Sequence, residues 1–162
     1  MRGFPFYNHL QSLQLSYPST IKLTQLLHED MLPCHLIYLK IEDYKFQQDI
    51  MPVLEKLRCL KVLILHKTFE SQKTTCSSGG FSQLEVLELK YSLSMEEWEI
   101  EEGAMPILKK LVIYNCGELG VPRGLQYLTN LQELDWQDVG DSKANLVRDL
   151  CQHVPSIYLD KQ

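Results

Sequence analysis

One pattern governs what this chain can fold into: a leucine-x-x-leucine-x-leucine unit that returns at near-constant steps. It occurs as Leu10/Leu13/Leu15, Leu36/Leu39/Ile41, Leu60/Leu63/Leu65, Leu84/Leu87/Leu89, Leu108/Leu111/Ile113 and Leu131/Leu134/Trp136, with a degenerate seventh copy at Val154/Ile157/Leu159. The intervals between first positions are 26, 24, 24, 24, 23 and 23 residues. Leucine supplies 28 of the 162 residues, so single matches arise by chance, but six consecutive intervals this uniform do not. A fixed period of this size means a stack of similar units.

Within each unit the second and third apolar positions are two residues apart, so on a strand both point to one face. No single unit can bury that face alone, and stacking neighbours makes one continuous core. The expected fold is therefore α/β: a leucine-rich-repeat solenoid with about seven parallel strands on the concave face and short helices and irregular loops behind. One domain is expected over residues 1–162, with repeat strands near 10–15, 36–41, 60–65, 84–89, 108–113 and 131–136. A C-terminal cap is expected over 141–162. A stack beginning at Leu10 would present a bare sheet edge, so the chain is expected to be the distal part of a longer solenoid.

The return segments carry weaker signals. Pro52-Val53-Leu54-Glu55-Lys56-Leu57 places proline at a first helical position ahead of apolar 3–4 spacing. Gly124-Leu125-Gln126-Tyr127-Leu128 predicts a single turn after Pro122. The insert at 70–80, rich in Ser, Thr, Lys and Gly, predicts a mobile loop. Asp141-Ser142 can cap a helix with Leu146, Val147, Leu150 and Cys151 on one stripe.

Composition removes several classes of function. With 16 Lys+Arg against 21 Asp+Glu the net charge is −5, which argues against binding a phosphate backbone. No apolar run approaches a membrane span, and residues 1–7 show no secretory signal. Five scattered cysteines and no Asn-x-Ser/Thr sequon predict reduced thiols and a cytoplasmic chain.

From Phe81 onward the repeats become specific. They read Phe81-Ser82-Gln83-Leu84-Glu85-Val86-Leu87-Glu88-Leu89, Trp98-Glu99-Ile100-Glu101-Glu102-Gly103-Ala104-Met105-Pro106, Leu108-Lys109-Lys110-Leu111-Val112-Ile113-Tyr114-Asn115-Cys116 and Val121-Pro122-Arg123-Gly124-Leu125. This resembles the C-terminal leucine-rich repeats of plant nucleotide-binding immune receptors with a coiled-coil N-terminus, and Val154-Pro155-Ser156-Ile157-Tyr158-Leu159 is similar to how those chains end. The resemblance implies recognition of a pathogen effector or guarded host protein, and an autoinhibitory contact with the receptor's own nucleotide-binding domain. This chain departs from the whole receptor in having no Gly-x-x-x-x-Gly-Lys-Ser/Thr loop, so it is not expected to switch on ATP by itself.

Catalytic and metal chemistry find no foothold. No Cys-x-x-Cys, His-Glu-x-x-His or Gly-x-Ser-x-Gly occurs. Cys34-His35 and Cys151-Gln152-His153 stand isolated and read as structural, and Cys116 reads as a core position in the turn after its strand. No enzyme, cofactor or metal is expected.

Binding surfaces remain. On each strand the residues before, between and after the inward pair face the concave side, giving columns that contain Tyr38, Val62, Val86 and Lys110; Lys40, Ile64, Glu88 and Val112; and His66, Lys90 and Tyr114. Val62, Ile64, Val86 and Val112 are thus apolar at positions expected to be exposed, and with Tyr38 and Tyr114 they would form a protein-binding patch. The competing reading is that β-branched residues simply favour strands. The second surface is the acidic stretch 95–102, Met95-Glu96-Glu97-Trp98-Glu99-Ile100-Glu101-Glu102: either a magnet for a basic partner or a solvated loop pinned by Trp98 and Ile100. The leading expectation is a protein-binding module of an immune receptor. The alternative, a cytosolic adaptor recruiting substrates to a ubiquitin ligase, calls for an N-terminal docking helix pair that this sequence lacks. An extracellular ectodomain calls for paired cysteines and sequons.

Overall fold

A computed structural model describes residues 9–16 and 32–160. Residues 1–7, read above for a signal, lie outside the described residues, as do the last two residues of the C-terminal cap.

The repeat unit becomes a strand each time. Strands β1 (Ser12–Ser16), β2 (Tyr38–Glu42), β3 (Val62–His66), β5 (Val86–Lys90), β7 (Lys110–Tyr114), β8 (Glu133–Gln137) and β9 (Ser156–Asp160) form one parallel sheet in that order. The weak seventh copy is a strand because β8 supplies a template in full register, Glu133 opposite Ser156 through Gln137 opposite Asp160. Six strand gaps of roughly 4.8 Å make the sheet about 29 Å across.

Bonds to the next repeat at the strand ends hold the register. At the entry, one carbonyl accepts two successive amides from the following unit: Ile37 O from Lys61 and Val62, Lys61 O from Glu85 and Val86, Glu85 O from Lys109 and Lys110. At the exit, the residue after each strand swings into the left-handed region, as at Asp43, Lys67, Tyr91, Asn115 and Asp138. There the Asp43, Lys67 and Tyr91 amides each donate at 2.9 Å to the last strand carbonyl of the next repeat, His66, Lys90 and Tyr114. Lysine and tyrosine do not choose this conformation by themselves, and the inter-repeat bonds impose it.

The core lies between this sheet and the elements behind it. Leu39, Leu63, Leu87, Leu111 and Leu134 are fully buried, as are Ile41, Leu65, Leu89 and Ile113. At the sheet's ends Leu13, Ile157 and Leu159 are only partly buried, having one flanking strand among the described residues instead of two.

Behind the sheet three expectations need correction. The 70–80 insert is not a loop throughout: β4 (Lys73–Cys76) pairs in parallel with β6 (Glu97–Ile100), forming a second, two-stranded sheet. Asp49 organises it, accepting the Thr74 hydroxyl at 2.7 Å and the Thr75 amide at 3.2 Å while also taking the Met51 amide at 3.0 Å. The acidic stretch 95–102 is accordingly part strand, and Trp98 and Ile100 are buried, pinning it as one reading proposed. Third, helix α2 (Asp141–Leu150) starts from Gly140 at its N-cap, with Asp141 already in the first turn. Its inward stripe is Ala144, Val147 and Cys151 with Leu150 beside it, while Leu146 faces out at 48 % exposure. The other predicted turns are present as α1 (Met51–Leu54) and a single 3₁₀ turn, Leu125–Tyr127.

Candidate functional site

The expected columns are realised on the sheet. Tyr38, Val62, Val86 and Lys110 are successive register partners across β2, β3, β5 and β7, as are Lys40, Ile64, Glu88 and Val112, and His66, Lys90 and Tyr114. Eleven residues scattered over 77 positions of sequence therefore stand on one continuous face. Val62, Ile64 and Val86 are half-buried and mutually adjacent, with Tyr38 beside Val62.

Val112 does not belong to the exposed patch. It is only 8 % accessible, because the register sets it between Glu88 and Asp135, amid the long side chains of the Glu88–Lys90 and Lys110–Glu133 pairs. The apolar patch therefore contracts onto β3 and its immediate neighbours.

Charges around the patch are matched in pairs. Lys40 donates to Glu42 at 2.7 Å, Lys90 to Glu88 at 2.6 Å and Lys110 to Glu133 at 2.8 Å. The Lys40 hydrogen bond, then the one to His66 at 3.3 Å, hold the Glu42 carboxyl below its ordinary pKa. The Glu133 hydrogen bond raises Lys110. Ile64 sits in its column between Lys40 and Glu88, so the two charges nearest the apolar centre already have partners.

The sequence reading missed Tyr91. Its left-handed backbone brings the ring 4.9 Å from His66 and 5.2 Å from Tyr114 at 70°, joining two column residues into an aromatic cluster. Lys67 Nζ lies 5.9 Å from the Tyr91 centroid. A hydrogen bond with Tyr91 raises the Tyr114 phenol. The one available signal is positional: Tyr91 directly follows the last column residue of its strand.

The cysteines are unpaired. Cys76 is fully buried, receives the Trp98 indole N–H at 3.4 Å, and is pushed up to about 12 by desolvation. Burial also raises Cys116, whose thiol donates to the Tyr114 carbonyl at 3.4 Å, in keeping with the expected core position. Cys34 and Cys59 are exposed. Among the described residues no group of three or more His, Cys, Asp or Glu could hold a metal ion, and no helix is long and apolar enough to cross a membrane.

On the flank, the acidic stretch is partly neutralised. Glu97 is bridged by Lys73 at 2.9 Å and Arg123 at 3.0 Å, and Glu96 accepts from Gln72 at 2.9 Å.

Comparison with known proteins gives no matching family model and no matching solved structure. Curated relatives do match. The disease resistance RPP8-like protein 3 of Arabidopsis thaliana is 34 % identical over 160 residues, covering 92 % of this chain and 17 % of the relative. The disease resistance protein RPP8 of the same plant is 39 % identical over 128 residues, or 78 % of this chain and 14 % of the relative. The disease susceptibility protein LOV1, also of Arabidopsis thaliana, is 37 % identical over 127 residues, again 78 % of this chain and 14 % of the relative. The chain thus spans between 14 and 17 % of the length of these relatives. The kinship implied by the repeats from Phe81 onward is borne out: this chain is a homologue of one segment of the plant disease resistance proteins typified by RPP8.

Proposed function

We propose that this chain is the protein-recognising part of a plant immune receptor and that it engages its partner through the concave face, centred on Val62, Ile64 and Val86 with Tyr38. The observation that carries the reading is the contiguous half-buried apolar patch on β2, β3 and β5, ringed by charges already paired within the chain. Apolar and aromatic anchors surrounded by a satisfied polar rim are what dominate binding energy at interfaces. Relatives named for disease resistance support the biological setting. The partner class is a protein: a pathogen effector, a guarded host protein or the receptor's own nucleotide-binding domain. The raised thiols of Cys76, Cys116 and Cys151 argue for structural cysteines and a non-enzymatic role. Unpaired thiols fit a cytoplasmic setting.

The test compares two sets of variants against the receptor's nucleotide-binding domain and candidate effectors supplied as purified proteins. Ile64→Asp and Val86→Asp place a charge in the patch without touching the buried leucines, and should weaken binding by about 1–2 kcal/mol or more while the chain stays folded. The triple variant Glu96→Gln/Glu97→Gln/Glu99→Gln should chiefly slow association at low salt. Normal binding by both Asp variants, with loss in the Gln variant, would overturn the concave reading.

A further inference from the structure

A second surface lies on the flank, away from the concave face. Behind the sheet, the ribbon of extended segments runs from β4 through β6 to an isolated bridge between Glu99 and Arg123. The 3₁₀ turn follows Arg123 directly and α2 takes its place in the next repeat, and the change of element leaves an open groove of about 550 Å³. Its lining includes Glu99, Glu102, Arg123, Tyr127, Leu146 and Leu150.

Two properties of this groove are independent of each other. The first is apolar exposure: four large apolar or aromatic residues are exposed among the described residues, and two of them, Tyr127 at 41 % and Leu146 at 48 %, line this one groove. Single exposed leucines are ordinary, but two converging on a concave site are not scatter. The second is charge. Glu99, Glu101 and Glu102 stand on the rim, and the cation among them, Arg123, is already held by Glu97 at 3.0 Å. Glu101 accepts the Ser78 amide at 2.8 Å, whereas Glu99 and Glu102 form no ion pair among the described residues. An apolar wall beneath a negative rim complements a segment with the reverse character, and the chain's net charge of −5 reinforces the attraction.

We propose that this groove binds a short peptide segment of a partner protein in which lysines or arginines flank a large apolar side chain. The apolar anchor rests on Leu146 and Tyr127, and the flanking cations meet Glu99 and Glu102. Anionic ligands are disfavoured by the same rim.

The test pans a phage-displayed random peptide library on the full chain, then measures a synthetic peptide of the selected sequence by fluorescence anisotropy. Selected sequences should be enriched in Lys or Arg around Leu, Phe, Met or Trp. Glu99→Gln/Glu102→Gln should weaken that peptide by about three- to tenfold at low salt, with the difference fading as salt rises. Leu146→Ser should weaken it about tenfold or more at all salt concentrations. All three side chains face solvent, so these variants stay folded. Ile64→Asp, on the other face, should leave the affinity unchanged. Failure to select any peptide, selection of sequences without basic residues, or affinity indifferent to both groove variants would overturn the proposal. Loss of binding in Ile64→Asp alone would move the peptide to the concave face.

Discussion

Replacing Leu87 with alanine probes the strand register on which every placement above rests. Leu87 is fully buried on β5, and its register partners on both sides, Leu63 and Leu111, are also fully buried. A leucine truncated there leaves a void that neither neighbour can fill without breaking its own register. The cost should fall in the upper part of the usual range, about 3–5 kcal/mol. Its sequence neighbour Glu88 faces the other way, with its side chain 19 % exposed and its carboxylate paired to Lys90 at 2.6 Å. Removing that pair should cost no more than about 1 kcal/mol. Leu13→Ala supplies a third arm: Leu13 sits on the outermost described strand and is only partly buried, so about 1–2 kcal/mol is expected. Urea unfolding followed by the fluorescence of the buried Trp98 and Trp136 reads all three. With a slope of about 2 kcal/mol per molar, Leu87→Ala should lower the midpoint by roughly 1.5–2.5 M and Glu88→Ala by under about 0.5 M. Equal losses for Leu87→Ala and Glu88→Ala would refute the register, since a one-residue slip exchanges the two faces.

Further outcomes can be checked with the same protein. Gly124 and Gly79 both have left-handed φ values, +86° and +76°, but a Cβ at Gly124 would strike the Ile100 carbonyl while one at Gly79 meets nothing within 4 Å. In chemical denaturation Gly124→Ala should cost at least about 3 kcal/mol and Gly79→Ala about 1 kcal/mol. Brief treatment of the native chain with iodoacetamide, followed by mass spectrometry, should label the exposed Cys34 and Cys59 and spare Cys76, Cys116 and Cys151, which burial keeps protonated. Glu42, Glu85 and Glu97 are held below the ordinary 4.5, first by hydrogen bonds from Lys40, Lys109 and Lys73. Their folded pKa values lie below the unfolded ones, so their contribution is full above 4.5 and is lost as pH falls through the folded values. Urea midpoints measured across that acid range should drop, and less steeply in high salt because these groups face solvent.

Strand positions and their facing were legible because the leucine spacing states them locally: two inward residues two apart, repeated at a period a parallel stack can use. Even the weak copy at 154–159 carried enough of that pattern. What sequence could not state were elements made by contacts a whole repeat away. The segment Lys73–Cys76 has the polar composition of a loop, and becomes β4 because Asp49, 25 residues earlier than Thr74, supplies acceptors to its hydroxyl and backbone. Lys67 and Tyr91 have no intrinsic preference for positive φ, and the next repeat's carbonyls impose it. The aromatic cluster on the concave rim follows from that imposed turn, so it too was invisible. Val112 looked exposed by column and is only 8 % accessible, set by the register between Glu88 and Asp135, which no count along one strand reveals.

The two surfaces differ in what their charges are doing, and that difference decides the kind of partner each suits. On the concave face Lys40, Glu88 and Lys110 are each bound to an opposite charge on the same or the adjacent strand. Such groups gain little from a charged partner, because a new pair would have to break an existing one. Affinity there must come from covering Val62, Ile64 and Val86, and specificity from shape across the columns. On the flank, Glu99 and Glu102 have no cation partner among the described residues, so a basic segment forms new pairs without breaking old ones. The flank therefore suits fast, salt-sensitive capture of a short basic segment, and the concave face suits slower, salt-tolerant binding of a shaped apolar surface. Both follow from one repeat: its outward strand residues set the first, and the change from ribbon to helix behind the sheet sets the second.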